Sequence, residues 1–287
     1  MTTTPADASD DFKAATREQW DKSAGGWNSQ SPRLRSWMGI ATEAMLDMAG
    51  IQTGSRVLDV AAGAGDQTLD IARRVGPKGY VLATDLSPAI LVLARDNAAR
   101  AGLRNVDTKV ADGEHLCVDA ASFDAVVCRL GLMFFPDPLQ GLREMHRATR
   151  MEGRVCTIVF SRPERNPCVS MLMATALRHA GLPSKDPFQP GGLLSLGKPG
   201  LTDTLFRTAG FRDVATTTMD APFRLPSAGD YLDFVQTSAS PIQQILARLE
   251  EPAAAAAWAE MAERLQTFDT AAGWVGPNEL LLTVGRV

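Results

Sequence analysis

Three carboxylates at strand ends and a glycine pair at a helix mouth are the residues of this chain whose types and spacing suit ligand chemistry. Arg56 to Thr68 reads RVLDVAAGAGDQT, an apolar run that stops at small residues and glycines before a stretch of helix formers. Glycine lacks a Cβ, so Gly63-Ala64-Gly65 lets the main chain turn tightly and come close to a bound molecule. A helix opening near Asp66 presents its free N–H groups to that molecule. Asp59 lies inside the first apolar run, Asp85 closes the second, and Asp112 follows the third. All three fall where strands hand over to loops, the edge at which open α/β sheets bind ligands. A carboxylate about twenty residues after such a turn is placed to accept hydrogen bonds from ribose hydroxyls, which favours a nucleoside ligand.

NAD and S-adenosylmethionine both contain a nucleoside. The dinucleotide fingerprint takes a third glycine where Thr68 stands here, and this counts against an NAD(P)-dependent oxidoreductase. Asp85 and Ser87 compete to cap the helix that starts at Pro88, and Asp112 before Gly113 also suits a turn.

The elements that must position these residues alternate. Strands are expected at 56–61, 79–84, 106–111, 123–128 and 154–160, with helices at 66–75, 88–101 and 138–149, a doubly wound α/β pattern. Ahead of it, 11–27 reads as a helical segment with Trp20 and Trp27, broken at Gly25-Gly26, and 32–49 as a helix stopped by Gly50. Residues 1–10 read as a disordered tail, 11–50 as helices over the site, and 51–161 as the ligand-binding core. The stretch 162–210 reads as a cap or substrate lid. It holds a helix at 169–180 and the Pro/Gly-rich run Leu182 to Gly200, expected to close over ligands. From 211 to 287 the chain completes the sheet, with a strand at 213–223 and a last strand in GPNELLLTVGRV. A helical insertion at about 226–275 interrupts it; Trp258, Met261, Leu265 and Phe268 form one helical face expected to pack on the sheet domain.

Across 287 residues, 45% are apolar and 22% charged, with a net charge of −4, the balance of an ordinary globular protein. No Lys/Arg block offers the basic stripe a nucleic-acid backbone needs. The first residues, MTTTPADASDD, lack the n- and h-regions of a secretory signal, and no apolar run reaches the ~20 residues of a membrane span, so stable membrane insertion is not expected. Cys117, Cys128, Cys156 and Cys168 show no close pair, which fits reduced thiols and a cytoplasmic setting. No metal-binding cluster stands out.

Taken in order, VLDVAAGAGDQT, ATDLSPAIL, VADGEHL, SFDAVVCRLGLMFF and LREMHRATRMEGR resemble the successive motifs of class I S-adenosylmethionine-dependent methyltransferases. Within that class the chain is most similar to the ubiquinone/menaquinone-biosynthesis C-methyltransferase-like group of small-molecule methylators, strongly over residues 50 to 161. The resemblance implies a Rossmann-like, seven-stranded, mostly parallel sheet with N-terminal helices and an inserted helical cap. It implies S-adenosylmethionine as cofactor and in-line methyl transfer that leaves S-adenosylhomocysteine. Ala61, Gly63 and Gly65 would approach the methionine moiety, Asp85 the ribose, Leu86 the adenine, and Asp112 with Gly113 the adenine amino group. Cys128 and Arg129 would line the methionine end, and Asp59 would order the loop and the cofactor's amino group.

Acceptor choice is expected from residues around the end of the fourth strand. Leu130, Met133, Phe134 and Phe135, with Met171 and Met173 from the cap, are mostly apolar and suit a small hydrophobic or aromatic acceptor. An acceptor that must lose a proton needs a base; of His115, His146 and His179, only His179 falls in the cap and is the candidate. A non-catalytic cofactor-binding or assembly protein is the alternative outside enzymology, and a homodimer stays open.

Overall fold

The computed structural model describes residues 5–184, 186–238 and 241–287. Strands are β1 (Arg56–Val60), β2 (Tyr80–Asp85), β3 (Val106–Val110), β4 (Phe123–Arg129), β5 (Thr149–Phe160), β6 (Arg212–Asp220), β7 (Phe223–Leu225), β8 (Asp269–Thr270), β9 (Gly273–Gly276) and β10 (Glu279–Arg286). A seven-stranded sheet has the order β3-β2-β1-β4-β5-β10-β6. Pairings from β3 to β5 are parallel, and β10 enters antiparallel between β5 and β6. Val57, Leu58 and Val60 of β1 and Val126 and Val127 of β4 are buried, as expected of parallel strands covered on both faces. The chain leaves β1 toward β2 and β3, then returns to its other side as β4. The crevice between the ends of β1 and β4 is therefore the sheet's topological switch point.

Helices are α1 (Pro5–Ser29), α2 (Ser31–Met48), α3 (Asp66–Val75), α4 (Pro88–Arg100), α5 (Pro138–Ala148), α6 (Pro167–His179), α7 (Leu201–Thr208), α8 (Ala228–Thr237), α9 (Pro241–Leu246) and α10 (Glu251–Leu265). The expected tail over 1–10 is corrected from Pro5 onward, where α1 begins; residues 1–4 lie outside the described residues. Gly25-Gly26 does not break α1 either. A Cβ on Gly26 would sit 2.3 Å from the Thr237 carbonyl oxygen, so this glycine serves the close approach of α1 to α8.

The cap has a core of its own. Trp274 on β9 is fully buried among Tyr231, Phe223, Leu172, Met261 and Leu265, and its indole N–H donates to the Leu265 carbonyl (2.7 Å). That places Met261 and Leu265, with Trp258 and Phe268 beside them, in the cap's interior rather than on the sheet, because α6, α8 and the small β7-β9-β8 sheet cover that face first. The helical insertion expected to about 275 ends earlier: α10 stops at Leu265 and the chain gives way to the β8–β9 hairpin, where Gly273 turns at φ 116°. The Leu182 to Gly200 run is anchored in its second half. Leu194 and Leu196 are buried in the main core, and the Ser195 hydroxyl donates to the Met133 carbonyl (2.6 Å). A lid that moves through Leu194–Leu196 would break these contacts.

Replacing Trp274 by Ala removes the central ring of the cap and is expected to lower stability by about 3–5 kcal/mol, read from urea unfolding. An unchanged midpoint would show that the cap does not depend on this core.

Candidate functional site

The turn after β1 is drawn tight from inside. Asp59 is fully buried, and its two carboxylate oxygens accept from Gln67 Nε2 (3.0 Å) and Thr68 Oγ1 (2.6 Å) in the first turn of α3. Thr68, where a dinucleotide site would have glycine, is thus a clasp on the buried carboxylate. Between the clasped ends the backbone takes positive φ at Ala61 (55°), Gly63 (58°) and Gly65 (88°). Leu130, at the end of β4, is also at positive φ (58°), and a Cβ on Gly131 would meet Ala61 Cβ at 2.4 Å. Left-handed backbone at the non-glycine Ala61 and Leu130 costs on the order of 1–3 kcal/mol each, strain of the kind that gathers at binding sites.

Asp85 ends β2 beside this turn. One oxygen accepts from the Gly63 N–H (3.0 Å) and the other from the Ser87 N–H (3.0 Å). Ser87, not Asp85, caps α4: its hydroxyl oxygen accepts from the Ile90 N–H (3.1 Å) and its own proton goes to Asp21 of α1. Asp112 holds a turn through the Glu114 N–H (2.9 Å) and is paired with Lys13 of α1 (2.7 Å), which also meets Glu114 (2.5 Å). Gly113 is small for Phe135, whose ring would overlap a Cβ at 2.1 Å.

These groups open into one cavity of about 1620 Å³, its mouth included. Its outer end is lined by Asp85, Leu86, Ile90, Asp112, Gly113 and Phe134, under Phe12, Lys13, Thr16 and Trp20 of α1. At its middle lie Ala61, Ala62, Gly63, Asp66, Gln67 and Arg129. The inner end runs beneath the cap, past Leu130 and Met133 to Trp37, Phe160, Phe223 and Tyr231, with Leu172 and Phe234 beside them.

Several expected residues lie outside the cavity lining. Cys128 is fully buried on the opposite face of β4 from Arg129, as strand alternation requires, and burial pushes its thiol up to about 12. Gly65 packs on Ala94 of α4, and Asp59 acts from within the core. On α6 it is Val169 and Leu172, three apart, that face the cavity, which turns Met171 away; Met173 packs in the cap core. His179 bonds Glu260 of α10 (2.9 Å) and does not reach the cavity, so it is withdrawn as a candidate base. Sequence reasoning missed the lining from α2, β7 and α8, and the Lys13 pair.

Electrostatics concentrate at the middle. Burial pulls the Arg129 pKa down, while Asp66, Asp59 and Asp70 oppose that shift; its Nη1 donates to Thr42 Oγ1 (2.9 Å). Burial raises Asp66 and Asp85, and lifts Asp59 from the ordinary value of 3.8 to about 6 against the bonds from Thr68 and Gln67. The described residues contain no group of three or more His, Cys, Asp or Glu able to hold a metal ion.

Residues 35–176 match the ubiE/COQ5 methyltransferase family. The ubiquinone/menaquinone biosynthesis C-methyltransferase UbiE of Haemophilus ducreyi is 33% identical over 123 residues, 42% of this chain and 48% of that one. The chain spans about half the length of the curated relatives it matches. Among solved structures, the YcgJ protein of Bacillus subtilis is similar in fold (TM-score 0.59, 17% identity), with 86% of this chain and 98% of that one covered. So is a phosphoethanolamine N-methyltransferase of Haemonchus contortus solved with S-adenosylhomocysteine (TM-score 0.57, 17% identity; 90% and 57% covered). The seven-stranded core thus shares its fold with these solved structures, and the family match runs over α2 to α6.

Because the Asp59 carboxyl holds its proton more tightly folded than unfolded, its contribution to stability falls as pH rises from about 4 to 6. Asp59→Asn lacks this titration. The stability difference between wild type and variant, from urea melts, is expected to shift in the variant's favour by up to roughly 3 kcal/mol over that window. A pH-independent difference would contradict it.

Proposed function

We propose that this chain is an S-adenosylmethionine-dependent methyltransferase acting on a small, hydrophobic, aromatic acceptor. The observation that carries the proposal is the single cavity with a polar, glycine-turned end at the sheet's switch point and an aromatic end beneath the cap.

The residues fit the cofactor. Asp85 is not spent on capping α4 and borders the cavity, so it would accept from the ribose hydroxyls; Leu86 and Ile90 would take the adenine. Asp112 would meet the adenine amino group once Lys13 yields. Ala61 and Gly63 offer backbone to the methionine portion, and the Arg129 guanidinium suits its carboxylate. When bound, the cofactor supplies an electrophilic methyl on a sulfonium sulfur. The chain's contribution is to hold the acceptor in line with that methyl, worth several kcal/mol without a covalent step, and to exclude water. None of the three histidines lines the cavity among the described residues, so no imidazole base is assigned.

The name of the matched relatives supports a quinone-like acceptor. Most of the cap lies beyond residue 176, outside the family match, so the acceptor class rests on the aromatic chamber itself. Buried free Cys128, Cys156 and Cys168 support a cytoplasmic setting. No helix among the described residues is long and apolar enough to cross a membrane.

Asp85→Ala is expected to weaken S-adenosylhomocysteine binding more than about tenfold, the scale of lost charge-assisted hydrogen bonds, with transfer of labelled methyl to a hydroquinone panel falling in parallel. Unchanged affinity in a folded variant would overturn the ribose assignment.

A further inference from the structure

A row of aromatic rings leads from the sheet edge into the cap. Phe160 stacks on Trp37 (6.1 Å between centroids), Trp37 meets Phe223 at a tilt (4.7 Å, 31°), and Phe223 meets Tyr231 edge to face (5.5 Å). The Trp37 indole N–H is already given to the Ala221 carbonyl (2.7 Å), so this ring has no spare donor for a ligand. Tyr231 is different. Its ring is fixed against the buried Trp274 (4.6 Å, 23° between planes), while its hydroxyl, which bonds no other described residue, is not among the fully buried unpaired polar atoms and so keeps an opening to the cavity. The residue is 4% exposed and lines the cavity. A hydroxyl that opens onto an otherwise apolar cavity wall marks a place where a ligand oxygen can complete the bond that water would otherwise make. The other polar side chains at this end are engaged: Asn278 donates to the Gly276 carbonyl (3.2 Å) and Ser238 to the Val235 carbonyl (3.4 Å). Val235, Ile242 and Leu172 complete an apolar surround.

We infer that the Tyr231 hydroxyl is the specificity-determining group of the acceptor chamber, hydrogen-bonding an oxygen substituent, hydroxyl or carbonyl, on a flat aromatic acceptor held by the ring row. This rests on the methyl-transfer reading above and names what that reading leaves open, how the acceptor is oriented. Burial raises the phenol's pKa further, so it stays a neutral donor and acceptor rather than a base. Tyr231 is therefore a positioning residue: it sets which edge of the acceptor faces the methyl donor.

The test uses the whole chain, with 2-naphthol and naphthalene as probes in equilibrium dialysis, with and without S-adenosylhomocysteine. Wild type is expected to bind 2-naphthol about three- to tenfold more tightly than naphthalene, the discrimination of one neutral hydrogen bond. Tyr231→Phe keeps the ring and its stacking. It is expected to lose that preference while naphthalene and S-adenosylhomocysteine affinities stay within about twofold, which also reports that the variant is folded. A preference for 2-naphthol that survives in Tyr231→Phe overturns the assignment, as does a wild type that binds neither probe. Binding of both probes without any S-adenosylhomocysteine binding would instead remove the methyl-transfer reading, leaving an aromatic-binding chamber in which the tyrosine's role is still read from the same preference.

Discussion

The site depends on a carboxylate buried behind the cavity wall. Asp59 sits in the core at the end of β1 and pulls the start of α3 inward through Gln67 and Thr68. With both ends of the turn fixed, Ala61, Gly63 and Gly65 are held in left-handed backbone, and the Gly63 N–H is presented to Asp85. Burying a charge is costly, which is why Asp59 titrates near 6 rather than in the ordinary carboxylate range. The strain at Ala61 and Leu130 is tolerated because buried strands flank both. Loosening the Asp59 clasp would let the turn relax and misplace the polar end of the cavity.

The second organising feature is the way two cores share one cavity. The sheet's core and the cap's core meet along Trp37, Phe160 and Phe223, where rings from α2, β5 and β7 touch. The cap is thus a second packed body with Trp274 at its centre, and the aromatic end of the cavity is the seam between them. Helix α1 roofs the other end. Its Lys13 is paired with Asp112 and Glu114, and its Asp21 bonds the α4 cap, so the roof is tied to two loops at the sheet edge.

Much of the core was legible in the sequence, because parallel strands read as short apolar runs and their helices carry caps and stops. The polar end was legible too, since glycines and carboxylates at strand ends have a local signature. What was not legible came from chain segments far apart. Trp37, Phe160, Phe223 and Tyr231 share no spacing, and only the fold brings them together. Gly25-Gly26 looks like a helix break in one dimension and is a contact with Thr237 in three. Cys128 and Met171 were recoverable errors: neighbours on a strand cannot share a face, as Arg129 shows, and on α6 Val169 and Leu172 mark the inward side. His179 falls in the cap in sequence, but its partner Glu260, 81 residues away, is visible only in the fold.

On the reading proposed above, the turn at Ala61 to Gly65, with Asp85 beside it, forms the site of a nucleoside-sulfonium donor. Isothermal titration of the unmodified chain with S-adenosylhomocysteine and, separately, with NAD⁺ tests it most directly. Saturable one-to-one binding of S-adenosylhomocysteine and no measurable heat with NAD⁺ are expected. Binding of NAD⁺ with none of S-adenosylhomocysteine would contradict it.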